Sequence, residues 1–261
     1  MTIGIIGLGK MGEAIASYLM NSGGYEVYFS ESDNIRAKEI ASRYKELKNV
    51  ELKELIELSS VIIIAVKPQN FKELLSAISS IQAEDKLFVS IAAGVSIDFI
   101  VSEGSLEKVV RAMPNMGALI GKSFTAISCS DKVDDKEVKL IEEIFSNIGS
   151  VKEVREELMD SITAISGSGP AYFAYFIKAI EDLAVEAGLE DASSEIVLET
   201  LRGTLSILKE LDISTEELIN RVKSPGGTTE ACLDYWQESN FSKIVKDGIR
   251  RAIAKSKELG E

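Results

Sequence analysis

Thr2-Ile3-Gly4-Ile5-Ile6-Gly7-Leu8-Gly9-Lys10-Met11-Gly12 opens the chain. An apolar run that reads as a buried strand leads straight into a G-x-G-x-x-G string. The string in turn opens a helical pattern, Lys10 to Asn21, with Met11, Ile15, Tyr18 and Leu19 on one face. In that context each glycine has a separate task. Gly7 permits the tight turn, Gly9 lets bare backbone approach a pyrophosphate, and Gly12 lets helix pack close on strand. Leu8, Lys10 and Met11 sit in the same turn, where the helix N-terminus offers unpaired amides and the positive end of its dipole to phosphate.

Working outward, the pattern repeats. Glu26 to Phe29 reads as a second strand and Asn34 to Leu47 as a polar helix; Ser22-Gly23-Gly24 separates the first helix from that strand. Val61 to Val66 is apolar throughout, as expected of a strand with helices on both faces, and Leu87 to Ile91 and Val109 to Ala112 repeat the theme. Strands alternating with helices imply a parallel, doubly wound sheet of Rossmann type. After about residue 155 the character changes. Beyond Gly167-Ser168-Gly169-Pro170 every segment reads as helix: Pro170 to Ala187, Ser193 to Leu211, a start at Ser214-Thr215-Glu216-Glu217, Glu230 to Gln237, and Phe241 to Leu259. The expected fold is therefore α/β, with a Rossmann-like domain at 1–155 followed by an all-α domain at 156–261. Tyr172, Phe173, Tyr175 and Phe176 cover more than one face of their helix, so they are either buried all round or set against a second subunit.

In open α/β sheets ligands lie beyond the carboxyl ends of the strands. The second strand ends at Ser30-Glu31-Ser32, with Arg36 beyond. Glu31 would accept hydrogen bonds from the ribose hydroxyls of NAD, whereas Ser30, Ser32 and Arg36 suit the extra phosphate of NADP. Ala65-Val66-Lys67-Pro68 follows the buried strand and should pass along the nicotinamide side. Ala92, in Ala92-Ala93-Gly94, leaves room for a ribose or the nicotinamide.

Composition narrows the function. With 42 acidic and 29 basic residues the net charge is −13, which argues against nucleic acid as a partner. There is no histidine, so Ser-His-Asp and Cys-His mechanisms are excluded and no metal site is expected. Cys129 and Cys232 are too few for a disulfide framework; they read as small buried hydrophobes in a reducing cytoplasm. No secretory signal is apparent, and no apolar run reaches the ~18 residues of a membrane span.

The remaining motif is Ser224-Pro225-Gly226-Gly227-Thr228-Thr229. Glycines after a proline can expose consecutive amides as an anion nest, and a carboxylate is an anion of suitable size. The threonine hydroxyls add donors.

Taken together with Ser166-Gly167-Ser168-Gly169-Pro170-Ala171-Tyr172, Ala65-Val66-Lys67-Pro68-Gln69 and Arg111-Ala112-Met113-Pro114-Asn115, these strings resemble the pyrroline-5-carboxylate reductase family over nearly the whole chain. The resemblance implies reduction of 1-pyrroline-5-carboxylate to L-proline by NADPH or NADH, with NADP expected ahead of NAD. It implies a helical domain that builds a homodimer, with decamers as a further assembly, and an active site completed at the subunit interface. Residue by residue, Gly226, Gly227 and Thr228 fall in the loop that cradles the substrate carboxylate. Thr229 matches the catalytic hydroxyl near the imine nitrogen, and Glu156 matches a substrate-side acid of some members. Leu52 and Arg221 depart from the pattern, standing where some members carry cofactor-contacting asparagines. One rival is a 3-hydroxyacid dehydrogenase, which needs a lysine four residues after its glycine pair; Phe173 stands there, and the next lysine is Lys178. The other is a dinucleotide-sensing protein without enzymatic activity.

Overall fold

The structure is a computed structural model describing residues 1–83 and 85–258. In chain order the N-terminal elements are β1 (Thr2–Ile6), α1 (Lys10–Asn21), β2 (Glu26–Ser30), α2 (Asn34–Arg43), β3 (Lys48–Asn49), α3 (Leu52–Leu58), β4 (Val61–Ile64), α4 (Phe71–Ile78), β5 (Leu87–Ser90), α5 (Ile97–Gly104), β6 (Val109–Met113), β7 (Ser123–Cys129), α6 (Asp135–Ser146) and β8 (Gly149–Glu153). Then come α7 (Met159–Ile162), a π-helical turn (Thr163–Gly167), α8 (Gly169–Glu186), α9 (Ser193–Glu210), α10 (Thr215–Val222), α11 (Thr228–Glu238) and α12 (Phe241–Glu258). The last helix was expected to reach Leu259, which lies outside the described residues.

The strands form one eight-stranded sheet in the order β3-β2-β1-β4-β5-β6-β7-β8. The expected parallel sheet needs one correction, because β6 and β7 pair antiparallel. Chain order reverses direction between β1 and β4, the switch point where doubly wound sheets hold ligands. Ile6 lies opposite both Ser30 and Ile64, and Ile64 opposite Ser90, so the loops after four strands open at one edge. Apolar side chains pack on both faces. Ile3, Ile5, Phe29 and Ile63 belong to one cluster; Ile62, Ile64, Phe71 and Phe88 belong to the other.

Some boundaries differ for physical reasons. α2 stops at Arg43 because Tyr44 turns extended, at φ −123° and ψ 91°. Leu47, expected to be helical, instead drops into the core from the following loop. Val66 and Ile91 lie just beyond the ends of their strands. Of the cysteines expected to be buried, Cys129 is half-buried, with burial raising its thiol pKa to about 12, whereas Cys232 is exposed on α11.

Two compact units are present: Met1–Pro170 with the chain from Ala252 onward, and Ala171–Arg251. The sequence reading divides the chain at 155/156. By contacts the segment from Glu156 to Pro170 goes with the sheet-containing unit. In the second unit, Phe176, Trp236 and Phe241 form an aromatic trio with ring centroids 5.3 to 6.4 Å apart. Only Val197 is buried there, and Phe173 and Tyr175 are exposed. Within the chain, then, the aromatic run is not buried all round.

Candidate active site

The glycine turn is built as its sequence requires, each glycine for its own reason. Gly7 has φ +86°, a conformation that side-chain-bearing residues rarely adopt. A Cβ on Gly12 would lie 2.4 Å from the Gly7 carbonyl oxygen and 3.2 Å from the Ala65 Cβ. The fit explains both the glycine and the small residue at Ala65. Gly9 is different. Its φ of −64° suits any residue, and a Cβ there would meet nothing within 4 Å. Neither its backbone nor its neighbours require glycine, so the vacant space suits a ligand. The backbone amides of Gly9, Lys10, Met11 and Gly12 have no hydrogen-bond partner among the described residues. Bare amides at the N-terminus of a long helix, beside the exposed Lys10, fit a dinucleotide pyrophosphate.

A cleft of about 540 Å³ runs from this turn along the carboxyl ends of β1, β2 and β4. Gly7, Ser30, Ser32 and Val66 line it, as expected, together with Asn49, which the sequence reading missed. Leu52 stands where some family members carry a cofactor-contacting asparagine. Leu52 lines the same cleft, and Asn49 arrives there because it pairs with Phe29 on the neighbouring strand. Ala65 receives the β1 ladder, its amide donating to the Ile6 carbonyl at 2.8 Å. Lys67 is exposed, and Pro68 opens a short 3-10 turn through Asn70. Ala92 is buried, its amide donating to Ser90 Oγ at 3.3 Å. Arg36 does not reach into the cleft as a free cation. Its Nε donates to the Leu8 carbonyl at 3.0 Å, and its remaining nitrogens pair with Glu13 and Glu39.

Glu156 meets the sheet rather than open solvent. Its Oε1 accepts from the Ile97 amide at 2.8 Å and lies 3.4 Å from Arg111 Nη1. Arg111 is 5% exposed and also faces Asp160 at 3.5 Å, and Asp160 accepts from Ser256 at 2.8 Å. A buried guanidinium needs such partners. Nothing in the local sequence marks this network, because it joins four distant segments. Close by, Asn115 donates to Ser166 Oγ at 3.0 Å, and a Cβ on Gly167 would lie 2.6 Å from Met113 Cε. The Met113–Asn115 and Ser166–Gly167 strings are therefore neighbours across the π-helical turn.

In the second unit, Ser224–Gly227 forms the turn ahead of α11. Gly226 has φ +70°. A Cβ on Gly227 would lie 2.4 Å from Ser224 Oγ. The expected amides are redistributed. Gly226 N–H donates to Glu230 Oε2 at 2.7 Å, and Gly227 N–H closes the turn on the Ser224 carbonyl at 3.0 Å. Glu230 folds back as the acid of a capping box does, and its carboxyl is held below the usual range by that Gly226 amide and by Lys223. The glycines thus shape the loop, and the Thr228 and Thr229 amides, with that of Glu230 beyond them, have no partner among the described residues. Neither threonine hydroxyl is engaged, and Thr229 is half-buried. Arg221 pairs with Glu217 at 2.6 Å, and Lys178, the lysine weighed for a hydroxyacid dehydrogenase, pairs with Asp182 at 2.8 Å. Among the described residues no cluster of acidic or cysteine side chains is placed to hold a metal ion, and no helix is long and apolar enough to cross a membrane.

A Rossmann-type sheet with a bare-amide phosphate turn, followed by a helical unit, defines an oxidoreductase of the nicotinamide-dependent class. Comparison with known proteins narrows this. Residues 2–94 match the family described as NADP oxidoreductase, coenzyme F420-dependent, and residues 156–259 match pyrroline-5-carboxylate reductase dimerisation. The pyrroline-5-carboxylate reductase of Synechocystis is 35% identical over 99% of this chain and 98% of its own length. The structure of 1-pyrroline-5-carboxylate reductase from Streptococcus pyogenes superposes with a TM-score of 0.91 at 31% identity, covering 99% of this chain and 98% of that one. The NADP-bound pyrroline carboxylate reductase of Plasmodium falciparum gives 0.89 at 30% identity, covering 100% and 98%. The chain belongs to the pyrroline-5-carboxylate reductase family.

Proposed function

We infer that this enzyme reduces 1-pyrroline-5-carboxylate to L-proline, with NADPH as hydride donor and NADH as the alternative. One observation carries the reading. A chain without histidine holds both a phosphate turn with unpaired amides and a second turn where the Thr228 and Thr229 amides and the Thr229 hydroxyl stand unengaged. When bound, the dihydronicotinamide would supply hydride to the carbon of the substrate's protonated imine, which already carries the proton the product amine keeps. Gly9 to Gly12 hold the pyrophosphate, while Ala65, Val66, Lys67, Pro68 and Ala92 line the path of the nicotinamide half. The loop at Gly226 and Gly227 presents the Thr228 and Thr229 amides to the substrate carboxylate. As the C=N bond becomes C–N, the Thr229 hydroxyl hydrogen-bonds to the nitrogen, whose basicity rises. Glu156, fixed by Arg111 and the Ile97 amide, contributes its remaining carboxylate oxygen on the substrate side.

The helical unit serves self-association. It leaves Phe173, Tyr175, Leu183 and Leu205 more than half exposed, an apolar surface suited to a second copy and, through further contacts, to larger rings such as decamers. The domain division is placed at 155/156, and the unpaired thiols suit the cytoplasm. The decisive experiment is an initial-rate assay of purified protein with pyrroline-5-carboxylate, using NADPH and NADH in parallel. Imine-dependent nucleotide oxidation with proline as product is expected; nucleotide binding without turnover would instead favour a dinucleotide sensor.

A further inference from the structure

Glu31 ends β2 at the mouth of the cofactor cleft. Its Oε2 accepts from the Leu8 amide at 2.9 Å and its Oε1 from the Asp33 amide at 3.0 Å. The carboxylate is therefore pinned against the phosphate turn. The cleft beside it is also lined by Glu51 and Glu73 and by no lysine or arginine. Arg36, the cation the sequence offers for a phosphate, is committed to the Leu8 carbonyl, Glu13 and Glu39. A ribose diol placed beside Glu31 finds a fixed acceptor, whereas a 2′-phosphate there faces the Glu31 carboxylate in a cleft that Glu51 and Glu73 also line.

We propose that Glu31 is the residue by which this enzyme discriminates between its two nucleotides. It accepts the adenosine ribose hydroxyls of NADH and opposes the 2′-phosphate of NADPH. NADH is thereby a competent donor beside NADPH. The proposal rests on the nicotinamide-dependent reading above and assigns that site its selectivity.

The test is calorimetric titration of the parent and of Glu31→Gln with NAD⁺ and NADP⁺, in the absence of imine. Adenosine 5′-monophosphate and adenosine 2′,5′-bisphosphate serve as fragments that isolate the 2′-phosphate. Glutamine can still accept from the Leu8 amide, so the turn keeps its geometry while the charge is lost. Thermal melting checks that the variant is folded. Removing a unit charge a few ångströms from a phosphate should shift the affinity ratio toward NADP⁺ by roughly tenfold or more, with the same shift between the two fragments and a smaller one at high salt. An unchanged ratio in a folded variant, or a shift toward NAD⁺, would overturn the assignment. If the parent binds neither nucleotide, the assignment and the cofactor reading fall together. If the ratio shifts as stated but pyrroline-5-carboxylate is not reduced, the assignment stands and the reductase reading falls.

Discussion

Phe29, on the central sheet, is fully buried, whereas Tyr175, on α8, is 78% exposed. The contrast runs through both units. Around the sheet, Phe71, Phe88 and Phe145 are each 1% exposed, packed into its two core clusters. From Ala171 to Arg251 the side chains are nearly as apolar, yet Val197 alone is buried. Composition does not separate the two units; the difference is how much of the apolar surface the chain covers by itself, and a second copy covering the rest makes a distinct prediction. The stability of the first unit should be independent of protein concentration, and that of the second should rise with it.

The largest expected effect breaks the self-sufficient side. Phe29→Ala should cost roughly 3–5 kcal/mol, read by urea denaturation, and the loss should be the same at any protein concentration. Thr229→Ala should lower turnover about a hundredfold, some 3 kcal/mol of transition-state stabilisation, while Thr229→Ser retains most of the activity. Because the phosphate turn lies in the other unit, NADP⁺ affinity measured by titration should barely change. Tyr175→Asp sharpens the comparison more directly. At an exposed position such a change would be worth under about 0.5 kcal/mol, but at a subunit interface it should weaken association by roughly 2 kcal/mol or more, measured by sedimentation equilibrium. The smallest effect is local to the first unit. The Glu137 and Lys136 amides, capping α6, hold the Asp134 carboxyl below the usual carboxylate range. A lowered folded-state pKa gives stability that is present above the unfolded value near pH ~4 and lost as pH falls through the folded one. Asp134→Asn should therefore melt slightly below the parent at neutral pH and converge with it in acid.

Much of this was legible in the sequence where the signal is local. The turn from Gly7 to Gly12, the apolar strand starting at Val61 and the cap at Ser214, whose side chain accepts from the Glu217 amide, need only neighbouring residues to be read. The strand Ser123–Cys129 was not read, because it alternates too weakly and joins the sheet antiparallel. Asn49 reaches the cleft only through a short strand pairing, and Arg111 meets Glu156 and Asp160 only once the chain has closed on itself. The substrate loop was half legible. The sequence reads Gly226 and Gly227 as amide donors to the carboxylate, but Glu230 and the Ser224 carbonyl take those amides, leaving free the amides of Thr228, Thr229 and Glu230 among the described residues.

If a second copy of the helical unit completes the active site, the smallest active species is a dimer. Active-species sedimentation tests it most directly: a thin band of enzyme is spun through pyrroline-5-carboxylate and NADPH while loss of nicotinamide absorbance marks the moving catalyst. The account predicts that turnover travels with a species of two or more chains and fades on dilution as that species dissociates. Full activity travelling with the single chain would contradict it.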